Sequence, residues 1–136
     1  MPATKELTLQ LEDRPGTLGK ICRALADRGV NILALQSVPT QDKSLVRIIA
    51  DNPTTAKTVL DVERVPYTET DVAQAKLPHR PGELALAATR LGESNININY
   101  VYCGIEPASN SPLVIFGVAD VARAVAVLEK AVSAAA

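Results

Sequence analysis

The chain has 136 residues and lacks the marks of several protein classes. Aromatic side chains make up only 3% of it, so a core built on large rings is excluded and the 47% apolar content must come from Leu, Val, Ile and Ala. Neither sign of charge dominates: 14 basic and 15 acidic residues leave a net charge of -1. That balance provides no electrostatic footprint for nucleic acid or an anionic membrane. No apolar run approaches the roughly 20 residues that span a bilayer. The N-terminal Met1-Pro2-Ala3-Thr4-Lys5-Glu6 has no apolar signal region, so a cytoplasmic location is expected.

Metal and nucleophile chemistry are equally poorly supplied. His79 is the single histidine, and the two cysteines, Cys22 and Cys103, lie far apart with no CxxC. A zinc site needs more ligands at suitable spacing, and two cysteines could pair only once. Cys22 falls on the apolar stripe of a helix and reads as a small buried hydrophobe, with both thiols expected reduced. A Cys103–His79 pair lacks an identifiable third residue to orient it. No active site is read from these residues, and no cofactor or metal is expected.

What is present is a repeat. Leu11-Glu12-Asp13-Arg14-Pro15-Gly16-Thr17-Leu18 recurs as Leu77-Pro78-His79-Arg80-Pro81-Gly82-Glu83-Leu84. The same register carries Leu25 onto Leu91, Gly29 onto Asn95, Asn31 onto Asn97 and Ile32 onto Ile98. After a slightly longer loop in the second half, Leu45-Val46, Ala56 and Leu60 match Leu113-Val114, Ala124 and Leu128. Self-similarity of this length divides the chain into domains at 1–69 and 70–136.

Each half spells the same elements. Leu7, Leu9 and Leu11 alternate with polar residues as a strand, and so do Ala73, Ala75 and Leu77. Leu18, Ile21, Cys22 and Leu25, and in the second half Leu84, Ala87, Ala88 and Leu91, follow the spacing of one helix face. Pro15 and Pro81 sit where a first helical turn tolerates a missing N–H. Gly29 and Asn95 suit a left-handed helix end.

Strands then follow over 30–38 and 96–103, and again over 45–50 and 113–118. Asn52-Pro53 and Asp120 cap a second helix in each half. The first half ends on a strand over 62–68, completing a ferredoxin-like βαββαβ unit of α+β class. The second half continues as helix before fraying, with no residues left for a last strand. No Gly/Ser/Pro linker separates the halves, because 65–77 reads as nearly continuous strand; rigid coupling of the two domains is expected.

A strand, then Arg-Pro-Gly-x-Leu opening a helix, then Gly-Val-Asn-Ile starting the next strand, resembles the ACT domain family. Both pieces occur twice, as Arg14-Pro15-Gly16-Thr17-Leu18 with Gly29-Val30-Asn31-Ile32, and as Arg80-Pro81-Gly82-Glu83-Leu84 with Asn95-Ile96-Asn97-Ile98. The resemblance implies a tandem of two ACT domains, of the kind found in small stand-alone amino-acid-binding regulators. It implies a ligand site in the seam where such domains pair, beside the first strand–helix loop, with no catalysis.

The polar residue before Arg-Pro-Gly and the Asn of Gly-Val-Asn-Ile carry over as ligand contacts at Asp13 and His79, with Asn31 and Asn97. Asp13 and His79 differ in charge, so the two half-sites are not equivalent. The N–H groups of Gly16, Thr17 and Leu18, and of Gly82, Glu83 and Leu84, stand at helix starts that suit a carboxylate.

Each of these residues also has a plainer reading. Asp13 serves as well as a turn or cap residue, and Asn31 and Asn97 can bond neighbouring backbone. Arg14 and Arg80 suit surface ion pairs. Tyr100 and Tyr102 share one side of a strand; core packing explains them, while Tyr102, before the polar loop 104–110, is also placed to close over a ligand. Leu33 and Leu35 are expected to form a second apolar face that something must cover.

Two functions remain: an amino-acid sensor that regulates a separate partner, or an ACT-fold assembly module without ligand. A homodimer is expected in both, because the missing strand leaves 72–77 as a sheet edge.

Overall fold

The computed structural model describes residues 3–135, with side chains described as far as Lys130. Two compact units divide it. The first runs from Lys5 to Thr70. The second begins at Asp71 and also takes in Ala3 and Thr4, which the repeat had assigned to the first half.

In the first unit the order is β1 (Ala3–Glu12, entering from the second unit), α1 (Thr17–Asp27), β2 (Ile32–Pro39), β3 (Lys43–Ala50), α2 (Pro53–Val62) and the start of β4 (Tyr67–Lys76). Strand β3 lies between β1 and β2, antiparallel to both, with Leu9 opposite Val46 and Gln36 opposite Arg47. The alternating Leu7, Leu9 and Leu11 meet Val46, Ile48 and Ala50 on one face, where Ile21 and Leu25 of α1 and Ala56, Val59 and Leu60 of α2 close an aliphatic core with Tyr67 packed at its margin. Burying a Leu or Ile side chain contributes about 1.5–3 kcal/mol. The face away from the helices holds one buried carboxylate, Glu6, 4.0 Å from Arg47, whose guanidinium also donates to Gln36.

Beyond Thr70 the second unit repeats the pattern: the rest of β4, α3 (Glu83–Glu93), β5 (Tyr100–Glu106), β6 (Ser111–Gly117) and α4 (Val121–Ala135). Strand β6 pairs antiparallel with β4 and β5, with Ala75 opposite Val114 and Tyr102 opposite Ile115. Ala73, Ala75, Leu77, Val114 and Phe116 pack beneath Ala87, Leu91, Ala124 and Leu128. The overall class is the expected α+β ferredoxin-like one, and no strand follows α4 among the described residues. The tail expected to continue as helix and then fray is helical to Ala135, and Ala136 lies outside the described residues.

Local chemistry explains the helix ends. Gly29 has φ +74° and Asn95 φ +58°, the left-handed geometry expected of both. Each ends its helix with paired bonds: Val30 N–H to Leu25 C=O at 3.0 Å and Gly29 N–H to Ala26 C=O at 2.9 Å, matched by Ile96 to Leu91 and Asn95 to Gly92. Helix α2 ends the same way on Arg64, at φ +57°. Asn52 caps α2 by accepting from the Thr55 N–H at 3.1 Å, with Pro53 at the first helical position. Asp120 does the same for α4 through the Arg123 N–H.

Three local expectations need correction. Pro15 and Pro81 lie before the N-cap rather than in the first helical turn, because Gly16 and Gly82 take the cap position. Strands β2 and β5 begin later than expected, at Ile32 and Tyr100. The expected outward face of Leu33 and Leu35 does not form: a bulge at Leu33 makes Ile32 oppose Ala50 and Ala34 oppose Ile49. One extra residue reverses the side on which every later side chain falls. Leu35 therefore joins Ile32 against the helix-side core.

Candidate functional site

Both strand–helix loops are built alike. In each, the N–H of the first helical residue, Thr17 or Glu83, donates back to the carbonyl of Arg14 or Arg80 at 3.4 Å. The third residue of the turn, Gly16 or Gly82, has φ near +90° (92° and 91°). Pro followed by left-handed Gly is the pattern of a type II turn, in which a side chain at the Gly position would be strained. The turn thus consumes the Thr17 and Glu83 amides that the sequence left available to a carboxylate.

The loops differ in their side chains. Thr17 Oγ1 donates to the Glu12 carbonyl at 2.8 Å, and Arg14 Nε pairs with Glu12 at 2.5 Å. That hydrogen bond, with the charge of Arg14, holds the Glu12 carboxyl below the ordinary carboxylate value. Asp13 is exposed and accepts from the Ser44 hydroxyl at 3.3 Å; Gly16, not Asp13, is the N-cap. In the second loop Arg80 Nε pairs with Glu83 at 2.5 Å, and the Glu83 carboxylate is only 12% exposed. Glu83 puts an acid in the first turn of α3, whereas α1 has none. A negative charge there already answers the helix dipole.

The second loop forms one wall of a cleft of about 590 Å³. His79, Arg80, Glu83 and Leu84 line it from the loop and the start of α3, while Val101, Cys103 and Ile105 of β5 line it from the strand side. Leu77, Pro112 and Val114 contribute further apolar surface. Three of the chain's exposed large hydrophobics gather here: Leu84, Val101 and Ile105 are 51%, 41% and 60% exposed. The volume lies within the range of about 300–1,000 Å³ typical of small-molecule pockets.

Four sequence-derived site residues, His79, Arg80, Glu83 and Leu84, thus share one cleft, and Gly82 shapes its loop. Tyr102, singled out for its place before the polar loop, lines it too, stacked on Tyr100 at 6.4 Å. Sequence reasoning missed Val101, Cys103, Ile105 and Asn110. The available signal was the placement of Val101, Cys103 and Ile105 on one side of an alternating β5.

Neither Asn31 nor Asn97 lies at the loop of its own unit. Each follows its helix's far end, about 16 Å from the loop for eleven residues at 1.5 Å rise. Asn31 exchanges two bonds with Asp51, through its own N–H and carbonyl, and Asn97 donates to the Asn99 side chain at 2.9 Å.

In the first unit Arg14 and Thr17 line a different groove, of about 380 Å³, where the charges of Lys20, Lys43, Glu63 and Arg64 are mixed with the apolar Leu11, Ile21, Val65 and Pro66. Leu18, 37% exposed, is outside it.

Cys22 and Cys103 are both free thiols. Burial pushes the Cys22 thiol up, and the residue is half-buried rather than buried as expected. No group of three or more His, Cys, Asp or Glu able to hold a metal occurs among the described residues. No described helix is long and apolar enough to cross a membrane.

The chain is similar to known proteins in part of its sequence and in its fold. The model of the ACT domain matches residues 5–66. No curated protein matches the sequence. Among solved structures, protein BT0572 from Bacteroides thetaiotaomicron is similar with a TM-score of 0.83 and 26% identity, over 95% of this chain and 88% of that one. The ligand-free regulatory subunit of aspartate kinase from Thermus thermophilus is similar with a TM-score of 0.63 and 17% identity, over 93% and 91% of the two chains. The corresponding subunit from Thermus flavus gives 0.59 and 16%, over 96% and 97%.

Proposed function

With an ACT domain over residues 5–66 as the premise, we propose that the chain is a tandem of two ACT domains, 1–69 and 70–136, acting as a non-catalytic sensor. It binds an amino acid or related carboxylate and regulates a separate protein. The observation that carries this reading is the convergence of His79, Arg80, Glu83 and Leu84 on one cleft of about 590 Å³. The likeness in fold to regulatory subunits of aspartate kinase supports a regulatory role. Calorimetry with the twenty amino acids tests it: binding by at least one is expected, and none at millimolar concentration would remove the sensor reading.

A homodimer belongs to the same proposal. The pairing of ACT domains that the resemblance implies is what supports it, and Asn31 and Asn97 lie at the far ends of α1 and α3 from the loops of their own units. Light scattering should give twice the 14.4 kDa chain mass.

The exposed Leu84, Val101 and Ile105 favour a second reading, an assembly module whose apolar face is covered by protein. Ligand-dependent melting separates the two, since a ligand that binds only the native state must raise its stability.

A further inference from the structure

We infer that the cleft of the second unit selects amino acids with a large apolar side chain, of branched-chain or aromatic type, over small or charged ones. The inference rests on the ligand-binding reading above and concerns what the same cleft accepts.

Its lining separates by chemistry. Charged and titratable groups are concentrated on the loop and the first turn of α3, at His79, Arg80 and Glu83, while the strand side presents Val101, Ile105, Pro112 and Val114 with the uncharged Tyr102, Cys103 and Asn110. Arg80 and Glu83, paired at 2.5 Å, put a cation and an anion side by side at the polar end. A zwitterion has the complementary pair, an ammonium for Glu83 and a carboxylate for Arg80, whereas a simple anion would meet the Glu83 charge as well. Burying either head group is tolerated only where such partners exist.

Away from that end no charged side chain lines the cleft. A lysine or aspartate side chain placed there would lose water and meet no opposite charge, only the neutral Asn110 and Tyr102, and an alanine would leave the strand wall uncovered. Leu84, Val101 and Ile105, each more than 40% exposed, are the surfaces an apolar side chain would remove from water.

Cys103, exposed on the same strand wall, provides a built-in reporter. The experiment measures alkylation of Cys103 by iodoacetamide, resolved from Cys22 by peptide mass spectrometry, alongside the melting temperature. Leucine, isoleucine, phenylalanine, alanine, lysine and aspartate are compared on the full chain.

Leucine or phenylalanine should slow Cys103 alkylation and raise melting, at concentrations at least tenfold below those alanine needs, the discrimination expected of missing methylenes in an apolar pocket. Ile105→Ser should abolish both effects, and Cys103 protection in the unsubstituted chain stands as a test if that variant fails to fold. Equal protection by alanine, lysine or aspartate would overturn the selectivity while leaving amino-acid binding intact. Stabilisation by leucine without protection of Cys103 would place the ligand elsewhere and overturn the inference. Protection that rises with protein concentration and no ligand would show a second copy in the cleft and overturn it too. No effect of any amino acid would remove both readings.

Discussion

The ring of Tyr100 lies across Gly117, its partner on the neighbouring strand, so closely that a Cβ at position 117 would clash with three of the ring's carbons. Gly117 is buried, and a ring that moved aside would disturb its stack on Tyr102. Gly117→Ala should therefore destabilise the chain by about 1–3 kcal/mol, the usual cost of overpacking. Tyr100→Leu in that background should recover part of the loss. Urea unfolding of the two single variants and the double variant measures the coupling, and additive effects would contradict the contact.

Helix α2 ends on Arg64 in the left-handed region, where α1 ends on Gly29. An L side chain there costs about 1–2 kcal/mol. Arg64→Gly should thus stabilise the protein and Gly29→Ala destabilise it, each by about 1 kcal/mol. Thermal unfolding checks both signs, and a loss of stability in Arg64→Gly would mean that the arginine side chain outweighs its backbone strain.

Asn52 carries the α2 cap through its side chain. Asn52→Ala should cost about 0.5–2 kcal/mol. Asn52→Asp or Asn52→Ser should restore most of it in denaturant titrations.

Glu106 accepts from the Ser109 hydroxyl at 2.7 Å and from the N–H groups of Ser109 and Ala108, and these bonds hold its carboxyl below the ordinary value of 4.5. A carboxyl lowered on folding contributes order that is present above the unfolded value and is lost as pH falls through the lower folded one. The loop 107–110 should accordingly loosen below about pH 4.5. Asn110, which lines the cleft, sits in that loop, so ligand affinity should fall with it. Amide exchange at Ser109 followed from pH 7 to 3 measures the opening, and Glu106→Gln should flatten the profile.

Substitution of Asn97 tests the seam. Asn97→Ala should weaken amino-acid binding by about 0.5–1.5 kcal/mol if a neutral hydrogen bond to ligand is lost. The change should appear only at concentrations where the chain is dimeric. An unchanged affinity would confine the site to the cleft-lining residues of one chain.

What the sequence determined alone was local in origin. Alternating Leu7, Leu9 and Leu11 decide which strand face is apolar, Gly29 and Asn95 decide where helices stop, and Asn52 and Asp120 decide where the next ones start, because each choice is settled within a few residues. The Arg-Pro-Gly turns were legible for the same reason, and so was the ACT resemblance they carry. Tertiary structure decided what depends on partners distant in the chain. The bulge at Leu33 is set by register against Ala50 and Ile49, and it turned Leu35 inward against the expectation of an outer face. Ala3 and Thr4 joined the second unit, although the repeat placed them in the first. The cleft exists because α3 leaves Val101 and Ile105 of β5 uncovered, and how far a helix reaches over a sheet is a matter of packing between elements that no local pattern records.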